Sequence, residues 1–494
     1  MQRCVCIHGH FYQPPRENPW LEKIERQPSA APYHDWNERV AMESYAPNAA
    51  ARVLDGSGRI ARLVNNYARI SFDFGPTLLS WLEREQPRTY AAVLAADRES
   101  RERFSGHGSA LAQGYGHAIL PLCNSRDKRT QVVWGIRDFE HRFGRAPEGM
   151  WLPETAVDLE SLEILAEQGL RFTILAPAQA ARVRPPGGEW RSLGESGHID
   201  PSRPYRLSLP SGRQIALFFY DGPVSQAVAF ENLLDNGEQF VERLLAAFPE
   251  GDGRPRLVNI ATDGETYGHH HRFGEMALAY ALLRLEADDA ARLTNYAEFL
   301  ERFPPDHEVE IQENSAWSCA HGLGRWQADC GCHTGGEEGW NQSWRQPLRA
   351  AFDWLRDRLA PAFEAAGGEL LTDPWGARDD YVAVLLDRSP ENVSRFLARH
   401  AARELRGDER ARALELLEMQ RHALLMFTSC GWFFNDLSGI ETVQVLQYAG
   451  RALQIGKELF GDGLREGFLE RLEAAKSNVA AMGSGRDIFE AAID

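Results

Sequence analysis

Two short stretches decide the fold and the chemistry of this chain: Gly149-Met150-Trp151-Leu152-Pro153-Glu154 and Thr262-Asp263-Gly264-Glu265-Thr266-Tyr267-Gly268-His269-His270. In each, an apolar run ends in a carboxylate. The run before Asp263 reads as the end of a buried strand that begins near Arg256. A carboxylate at the C-terminal end of such a strand points to the place where α/β folds bind ligands. Two carboxylates that meet there are the minimum equipment for cleaving a glycosidic bond.

Outward from these stretches, predicted strands and helices alternate up to about residue 300. Further strands are predicted at 3–10, 70–74 and 171–175, a hairpin at 206–220, and helices at 225–247 and 272–287. This order favours an α/β barrel or a doubly wound sheet. Later residues are mostly helical. We therefore expect an α/β barrel catalytic domain over 1–305, a Gly/Cys/Trp-rich loop over the active site at 306–345, and a helical domain over 346–494.

Composition limits the classes of partner. The 494 residues carry a net charge of −17, which argues against nucleic acid or an anionic membrane surface. No apolar run approaches membrane-spanning length, and the N-terminus lacks the features of a signal peptide. Seven scattered cysteines make a secreted disulfide framework a poor fit. We expect a cytoplasmic protein with no nucleic-acid or membrane partner.

The first predicted strand ends in His8-Gly9-His10-Phe11-Tyr12-Gln13-Pro14. A His-x-His pair at a strand end can hold a divalent metal in a barrel mouth. The same side chains can instead hydrogen-bond a substrate hydroxyl, and a third interpretation is a pair of satisfied core histidines. On the residues alone, the metal and the substrate interpretations stand level.

Each carboxylate has a catalytic and a structural interpretation. Glu154 suits a nucleophile that Trp151 shields from water, but a carboxylate is also favoured at a helix N-terminus. Asp263 and Glu265 are spaced to project to one side of an extended chain, so that one could serve as general acid while the other tunes its pKa. The alternative is that Asp263 and Glu265 belong to a solvated acidic loop. The three histidines that follow, His269 to His271, favour a binding site over such a loop.

Taken together, these motifs resemble glycoside hydrolase family 57, which acts on α-glucans. The first family motif resembles His10 to Pro14, the second Gly116-His117-Ala118-Ile119-Leu120-Pro121-Leu122, and the fifth Trp317-Ser318-Cys319-Ala320-His321-Gly322. The third matches Gly149 to Glu154 and implies Glu154 as nucleophile. The fourth matches Asp263 to Gly268 and implies Asp263 as general acid/base.

The resemblance also implies an incomplete (β/α)7 barrel followed by a mostly α-helical C-terminal domain of uncharacterised type. It implies a retaining hydrolase or transglycosylase of amylase, glucanotransferase or branching type, acting on an α-glucan or maltooligosaccharide without a cofactor. The expected substrate-binding residues are His10, Gln13, His117, Trp151, Glu265, His269, Trp317, His321 and, from a later aromatic loop, Trp432. Two alternatives stay open. One is a metal-dependent hydrolase or polysaccharide deacetylase using His8, His10 and Asp263, and the other is a non-catalytic glucan-binding protein.

Residues 319–333 are rich in cysteine and histidine. Cys319, His321, Cys330, Cys332 and His333 supply enough ligands for zinc, but the pairs lack the usual two-residue spacer between cysteine ligands. On that ground we expect no metal here, and interpret the segment as a glycine-rich loop that carries Trp317, Trp326 and Trp340 across the barrel mouth.

Overall fold

The computed structural model describes residues 2–194, 198–249, 253–288 and 290–493. The chain divides into two compact units. The first comprises residues 1–13, 26–113 and 142–313, and the second comprises residues 14–25, 114–141 and 314–494. Both units are therefore built from non-contiguous segments, and the three contiguous regions expected from the sequence stay a prediction.

The first unit is built around seven strands. They are β1 Arg3–Phe11, β2 Ser71–Phe74, β3 Ala110–Gln113, β4 Met150–Trp151, β5 Phe172–Leu175, β6 Gln214–Phe219 and β7 Arg256–Asp263. Parallel pairing runs continuously from β7 through β1, β2 and β3 to β4. A parallel bridge from Gly149 to Phe172 continues it to β5, which pairs in parallel with β6. These apolar runs are buried because both faces of a parallel sheet are covered.

In the described residues, the strands β6 and β7 are neighbours without ladder pairing, and Asn259 of β7 provides hydrogen bonds between them. The backbone carbonyl of Asn259 accepts a hydrogen bond of 2.7 Å from the Asp221 N–H, just past β6. The buried Asn259 side-chain amide donates to the carbonyl of Phe219 at 3.1 Å. One backbone bond and one side-chain bond thus take the place of a strand ladder between β6 and β7. The predicted incomplete (β/α)7 barrel is confirmed.

Further elements of the first unit surround the barrel. The helices are Trp36–Val40, Ala46–Ala49, Pro76–Glu85, Pro87–Arg103, Leu159–Glu167, Gly222–Phe230, Gly237–Ala246, Gly274–Ala287 and Tyr296–Arg302, with a π-helical turn at Ala41–Tyr45. The sheet that holds β5 and β6 is extended by Ala180–Arg184, Arg191–Ser192, Tyr205–Ser208 and His307–Ile311. Tyr205–Ser208 pairs antiparallel with β6, as the predicted hairpin requires.

The second unit is mainly helical, as expected. Its helices after residue 344 are Arg345–Gly368, Pro374–Asp380, Val382–Leu386, Pro390–His400, Asp408–Leu425, Cys430–Phe433, Ile440–Phe460, Arg465–Leu472 and Gly485–Ile493. Most of the earlier helix Ser125–Phe143 also belongs to this unit. A buried ion pair of 2.7 Å joins Arg378 to Asp127. Among the described residues, no helix combines the length and the apolar character needed to cross a membrane.

Candidate active site

The C-terminal ends of three neighbouring strands bring the key polar residues side by side. The register pairs His10 of β1 with Asp263 of β7 on one side and with Asp73 of β2 on the other. His8 lies two residues before His10 and therefore points to the same face of β1. This edge of the barrel is where parallel α/β folds bind ligands.

A buried network joins the two histidines through Asp73. The Asp73 carboxylate accepts hydrogen bonds from His8 Nε2 at 3.1 Å and from His10 Nδ1 at 2.9 Å. His8 Nδ1 lies 3.0 Å from the Ser71 hydroxyl. The Trp151 ring stacks on both imidazoles, with centroid distances of 4.8 Å to His8 and 5.2 Å to His10. Trp151 is fully buried and covers this network, while its predicted shielding of Glu154 and its contact with substrate stay predictions.

The network fixes the charges of its members. Burial lowers the pKa of His10, but the neighbouring Asp73 carboxylate outweighs burial and raises this pKa to about 9. Burial would raise the pKa of Asp73, but the charge and hydrogen bond of His10 hold it below its usual range. At His8 burial dominates and lowers the pKa. At neutral pH the network therefore holds an imidazolium, a carboxylate and a neutral imidazole.

Hydrogen bonds at His8 weigh against the metal interpretation of the His-x-His motif. A metal ligand needs a free imidazole nitrogen. Both ring nitrogens of His8 already bond to Ser71 and Asp73. Among the described residues, one group of His, Cys, Asp or Glu side chains lies close enough together to share a metal ion. This group is in the loop before residue 345, not at the barrel mouth.

Asp263 is the accessible acid of the mouth. Its side chain is exposed to solvent although the seven residues before it in β7 are buried. The surrounding protein nevertheless desolvates the carboxyl and raises its pKa; His10 opposes the rise, and Asp73 adds to it. An exposed carboxyl that keeps its proton to higher pH is the chemistry of a general acid.

Glu265 does not tune Asp263 in the way the sequence suggested. The chain leaves the extended conformation and enters a 3-10 turn at Gly264–Thr266, so the two carboxyls do not follow the predicted strand spacing. Glu265 is 6% exposed and accepts hydrogen bonds from the Tyr12 N–H at 3.0 Å and the Tyr45 hydroxyl at 2.5 Å. Burial and the Asp263 charge raise the pKa of Glu265 to about 8. It is therefore neutral at pH 7, and the charge that raises the pKa of Asp263 is that of Asp73.

Glu154 is held in an unusual backbone turn directly after β4. It lies in the 3-10 turn Pro153–Thr155, and both Glu154 and Thr155 adopt left-handed conformations, with φ of 58° and 50°. This conformation is rare for a β-branched residue such as threonine. The Gln179 side chain supports it: its oxygen accepts from the Thr155 hydroxyl at 2.9 Å, and its nitrogen donates to the Thr155 carbonyl at 2.8 Å. Strain of this kind is found where a side chain must be aimed.

Two other predicted binding residues also lie in the first unit. Gln13 hydrogen-bonds the Tyr45 hydroxyl, next to Glu265. His269 is half-buried; its Nδ1 bonds to Glu43, and its ring meets the edge of Trp36 at 6.1 Å. Both contact the segment before residue 46, and their contact with substrate stays a prediction.

The other predicted binding residues lie in the second unit. His117 is buried, with Nδ1 2.6 Å from the Ser429 hydroxyl. Trp317 is half-buried. His321 lies in the cysteine cluster, with Nδ1 3.5 Å from Cys332 Sγ. Substrate contact by His117 and Trp317 stays a prediction, whereas His321 has a different environment from the one expected.

Substrate contact by Trp432 stays a prediction, and its side chain is buried in the second unit. It lies in the short helix Cys430–Phe433, is 1% exposed, and meets the Phe352 ring edge-on at 5.4 Å. Its indole N–H donates to the carbonyl of Arg345 at 3.3 Å. Within this segment the Trp432 ring is buried, whereas Phe434 is 38% exposed.

Four polar residues of the site were missed by sequence reasoning. They are Asp73, Tyr45, Tyr220 and Gln113. Tyr220 follows β6, and burial together with the charge of Asp263 raises its pKa. Gln113 ends β3 and is buried; in the described part of the chain, neither its amide oxygen nor its nitrogen has a hydrogen-bond partner. The position of Gln113 and Tyr220 at strand ends is the signal that could have found them.

Comparison with known families places the two parts of the chain separately. A family profile described as Glycosyl hydrolase family 57 matches residues 62–312. A second profile, described as Domain of unknown function (DUF3536), matches residues 340–494. Alpha-amylase 1 of Dictyoglomus thermophilum is 29% identical over 200 residues, which are 40% of this chain and 26% of that protein. The match thus spans about a quarter of the length of this relative.

Solved structures share the fold at low sequence identity. An exo-type maltose-forming amylase from Pyrococcus sp. ST04 superposes with a TM-score of 0.71 at 14% identity, covering 96% of this chain and 83% of that one. A family 57 branching enzyme from Thermococcus kodakaraensis superposes with a TM-score of 0.58 at 16% identity, covering 95% and 94%.

Proposed function

Since the chain belongs to glycosyl hydrolase family 57, we propose that it is a retaining hydrolase or transglycosylase that acts on α-glucans. The observation that carries the proposal is the accessible Asp263 carboxyl, whose pKa is raised, at the strand end beside the buried His10–Asp73 ion pair. The names of its relatives, an α-amylase, a maltose-forming amylase and a branching enzyme, support an α-glucan as the substrate class.

In the proposed mechanism, a Glu154 carboxylate oxygen attacks the anomeric carbon of a bound glucan. The glycosidic bond breaks as Asp263 transfers its proton to the leaving oxygen, which gives a glycosyl-enzyme ester and a shortened glucan. Asp263, now ionised, removes a proton from the incoming acceptor, whose oxygen displaces Glu154. Water as acceptor gives hydrolysis, whereas a sugar hydroxyl gives transfer.

The histidine–aspartate network suits this cycle. The role of Asp263 alternates between acid and base, so its proton affinity must be neither too low nor too high. Burial raises the pKa of Asp263, protonated His10 lowers it, and Asp73 adds to the rise. His10, unlike His8, keeps a slight exposure of 3%, compatible with one hydrogen bond to a sugar hydroxyl at the edge of the mouth.

The first test is the product profile on maltooligosaccharides and amylose, with the anomeric form of the first product followed by NMR. We expect first-formed products to retain the α-configuration. Glu154→Gln should lower turnover by roughly three or more orders of magnitude, as loss of a covalent nucleophile does. Glu167→Gln, on the exposed end of the following helix, is the matched control and should keep normal turnover.

Each other result has a definite meaning. First products of inverted configuration would rule out the double displacement. Near-normal turnover of Glu154→Gln would remove Glu154 from the mechanism. Binding of maltooligosaccharides by a wild-type protein that neither cleaves nor transfers any of them would favour the non-catalytic glucan-binding protein.

A further inference from the structure

Four metal-binding side chains of the second unit converge on one point in the loop before helix Arg345–Gly368. They are Cys319, His321, Cys330 and Cys332, and their donor atoms all lie within 4.8 Å of one another. Cys319 Sγ lies 3.9 Å from Cys330 Sγ and 3.8 Å from Cys332 Sγ. His321 Nδ1 lies 3.5 Å from Cys332 Sγ.

The three separations of 3.9, 3.8 and 3.5 Å match the edges of a zinc tetrahedron. Zinc binds thiolate sulfur at about 2.3 Å and imidazole nitrogen at about 2.0–2.1 Å, which puts two sulfurs about 3.8 Å apart and a sulfur and a nitrogen about 3.6 Å apart. A disulfide would require a sulfur–sulfur distance of about 2.05 Å, and all seven cysteines are free thiols. The donor atoms are therefore spaced for a shared ion.

The backbone explains how unusually short spacings can form the site. Gly331, the single residue between Cys330 and Cys332, has φ +79°, a left-handed conformation that turns the chain sharply enough for both sulfurs to face one centre. Gly324 lies so close that an added Cβ would be 2.8 Å from Cys330 Cβ. The spacing argument against a metal fails because one left-handed glycine replaces the usual two-residue spacer.

Charge balance favours the same conclusion. Three thiolates and a neutral histidine around Zn²⁺ leave a net charge of −1. The buried guanidinium of Arg345 interacts electrostatically with Cys319, Cys330 and Cys332, and it donates to the carbonyl of Cys332 at 2.9 Å. Such outer contacts orient metal ligands. Arg345 also donates to the carbonyl of Phe433 at 3.3 Å, so it joins the Cys332 backbone to the helix Cys430–Phe433.

We propose that Cys319, His321, Cys330 and Cys332 bind one zinc ion in a closed, four-coordinate structural site. Four protein ligands leave no position for a water or substrate, so the ion takes no part in bond cleavage. Its role is to order a loop with little regular structure, in which residues 317–344 hold one short 3-10 turn, Gly324–Trp326. His333 lies outside the site, since its Nδ1 accepts a hydrogen bond from the Gly335 N–H.

The test is metal content and coordination of the full-length chain, purified without a histidine tag or added chelator. We expect about one zinc per chain, and about one Co²⁺ after exchange, with the thiolate-to-cobalt absorption of a tetrahedral site. The double variant Cys330→Ser, Cys332→Ser should lose both. Cys123→Ser, whose thiol bonds to a backbone carbonyl of the same unit, is the matched control and should keep both.

Wild-type protein settles the question even if the double variant does not fold. All seven cysteines should react with a thiol reagent after denaturation in chelator without reductant. Five reactive thiols, with a disulfide mapped to two of Cys319, Cys330 and Cys332, would overturn the proposal. Fully reduced wild-type protein that contains no zinc and takes up no Co²⁺ would also overturn it. These measurements do not involve glucan turnover, so they are independent of the proposed enzymatic activity.

Discussion

At the residue scale, Asp73 determines the electrostatics of the barrel mouth. It is fully buried, yet it stays ionised because it accepts hydrogen bonds from both His8 and His10. An unpaired buried carboxylate would be protonated instead. The ion pair with His10 therefore keeps Asp73 charged. Burial raises the pKa of Asp263, His10 opposes this rise, and the Asp73 charge adds to it.

The role of Asp263 as general acid gives a residue-level prediction. Asp263→Asn should lower turnover of maltooligosaccharides by about 10²–10⁴-fold, because their leaving oxygen needs a proton. Aryl α-glucosides with good leaving groups should lose much less in the step that forms the glycosyl-enzyme. The alkaline limb of the wild-type pH profile, which reports loss of the Asp263 proton, should disappear. Steady-state and burst kinetics on both substrate types measure these effects, and equal losses in glycosyl-enzyme formation would argue against the assignment.

Sequence reasoning located residues at strand ends and missed those that depend on register. Asp263 ends an apolar run, so its position could be predicted. Asp73 lies between Phe72 and Phe74 in an alternating strand, where an aspartate looks like a solvent-facing residue. Only the pairing of β2 with β1 places Asp73 beside His10. Tyr45 belongs to a π-helical turn in a segment without periodicity, so no local pattern pointed to it.

At the element scale, the turn after β4 depends on a side chain from another element. Gln179 accepts from the Ala176 N–H at 2.8 Å and makes two hydrogen bonds to Thr155. Gln179→Leu should remove all three bonds and let the left-handed turn at Glu154 relax. We expect turnover to fall at least tenfold, and stability to fall by about 1–3 kcal/mol because buried polar groups lose their partners.

The readout must separate positioning from simple destabilisation. Turnover should be measured well below the melting temperature of the variant, with folding checked by circular dichroism. Gln179→Glu, which keeps the acceptor oxygen but not the amide donor, should lie between wild type and Gln179→Leu in turnover. If a folded Gln179→Leu kept wild-type turnover, Gln179 would have no role in aiming Glu154.

Elements also show where spacing rules stop. The strands β1, β5 and β7 were predictable because continuous apolar runs mark buried parallel strands. Asp263 and Glu265 would project to one side only if the chain stayed extended, and instead Gly264 begins a 3-10 turn. The cysteine loop was judged on ligand spacing, but the turn at Gly331 is a backbone conformation that spacing does not contain.

At the scale of the whole molecule, the chain does not divide at one point. Residues 14–25 and 114–141 belong to the second unit although they lie between segments of the first. Composition revealed the change from alternating to helical pattern near residue 344. Composition could not show that residues 14–25 and 114–141 belong to the second unit. A helix such as Ser125–Phe143 has the same periodicity whichever unit it packs in. Contacts between segments that are distant in sequence determine to which unit each segment belongs.

The stability of the molecule should depend on pH through Glu265. Its pKa is about 8 in the folded chain against an ordinary 4.5. The folded state therefore keeps a proton that the unfolded state has lost, so wild-type stability falls as pH rises from 4.5 to about 8. Each pH unit in this window costs at most about 1.4 kcal/mol.

Glu265→Gln tests this dependence, because glutamine resembles the protonated acid and can still accept from Tyr12 and Tyr45. We compare the melting temperatures of the variant and the wild type at each pH. Their difference should be constant below pH 4.5. It should then increase in favour of the variant up to about pH 8 and level off above that pH. His10 titrates in both proteins, so its contribution largely cancels in the difference. Glu167→Gln controls for loss of a surface carboxylate. A difference that stays flat from pH 4 to 9 would mean that Glu265 is ionised in the folded protein, and the buried acid would then stand as a negative charge beside Asp263.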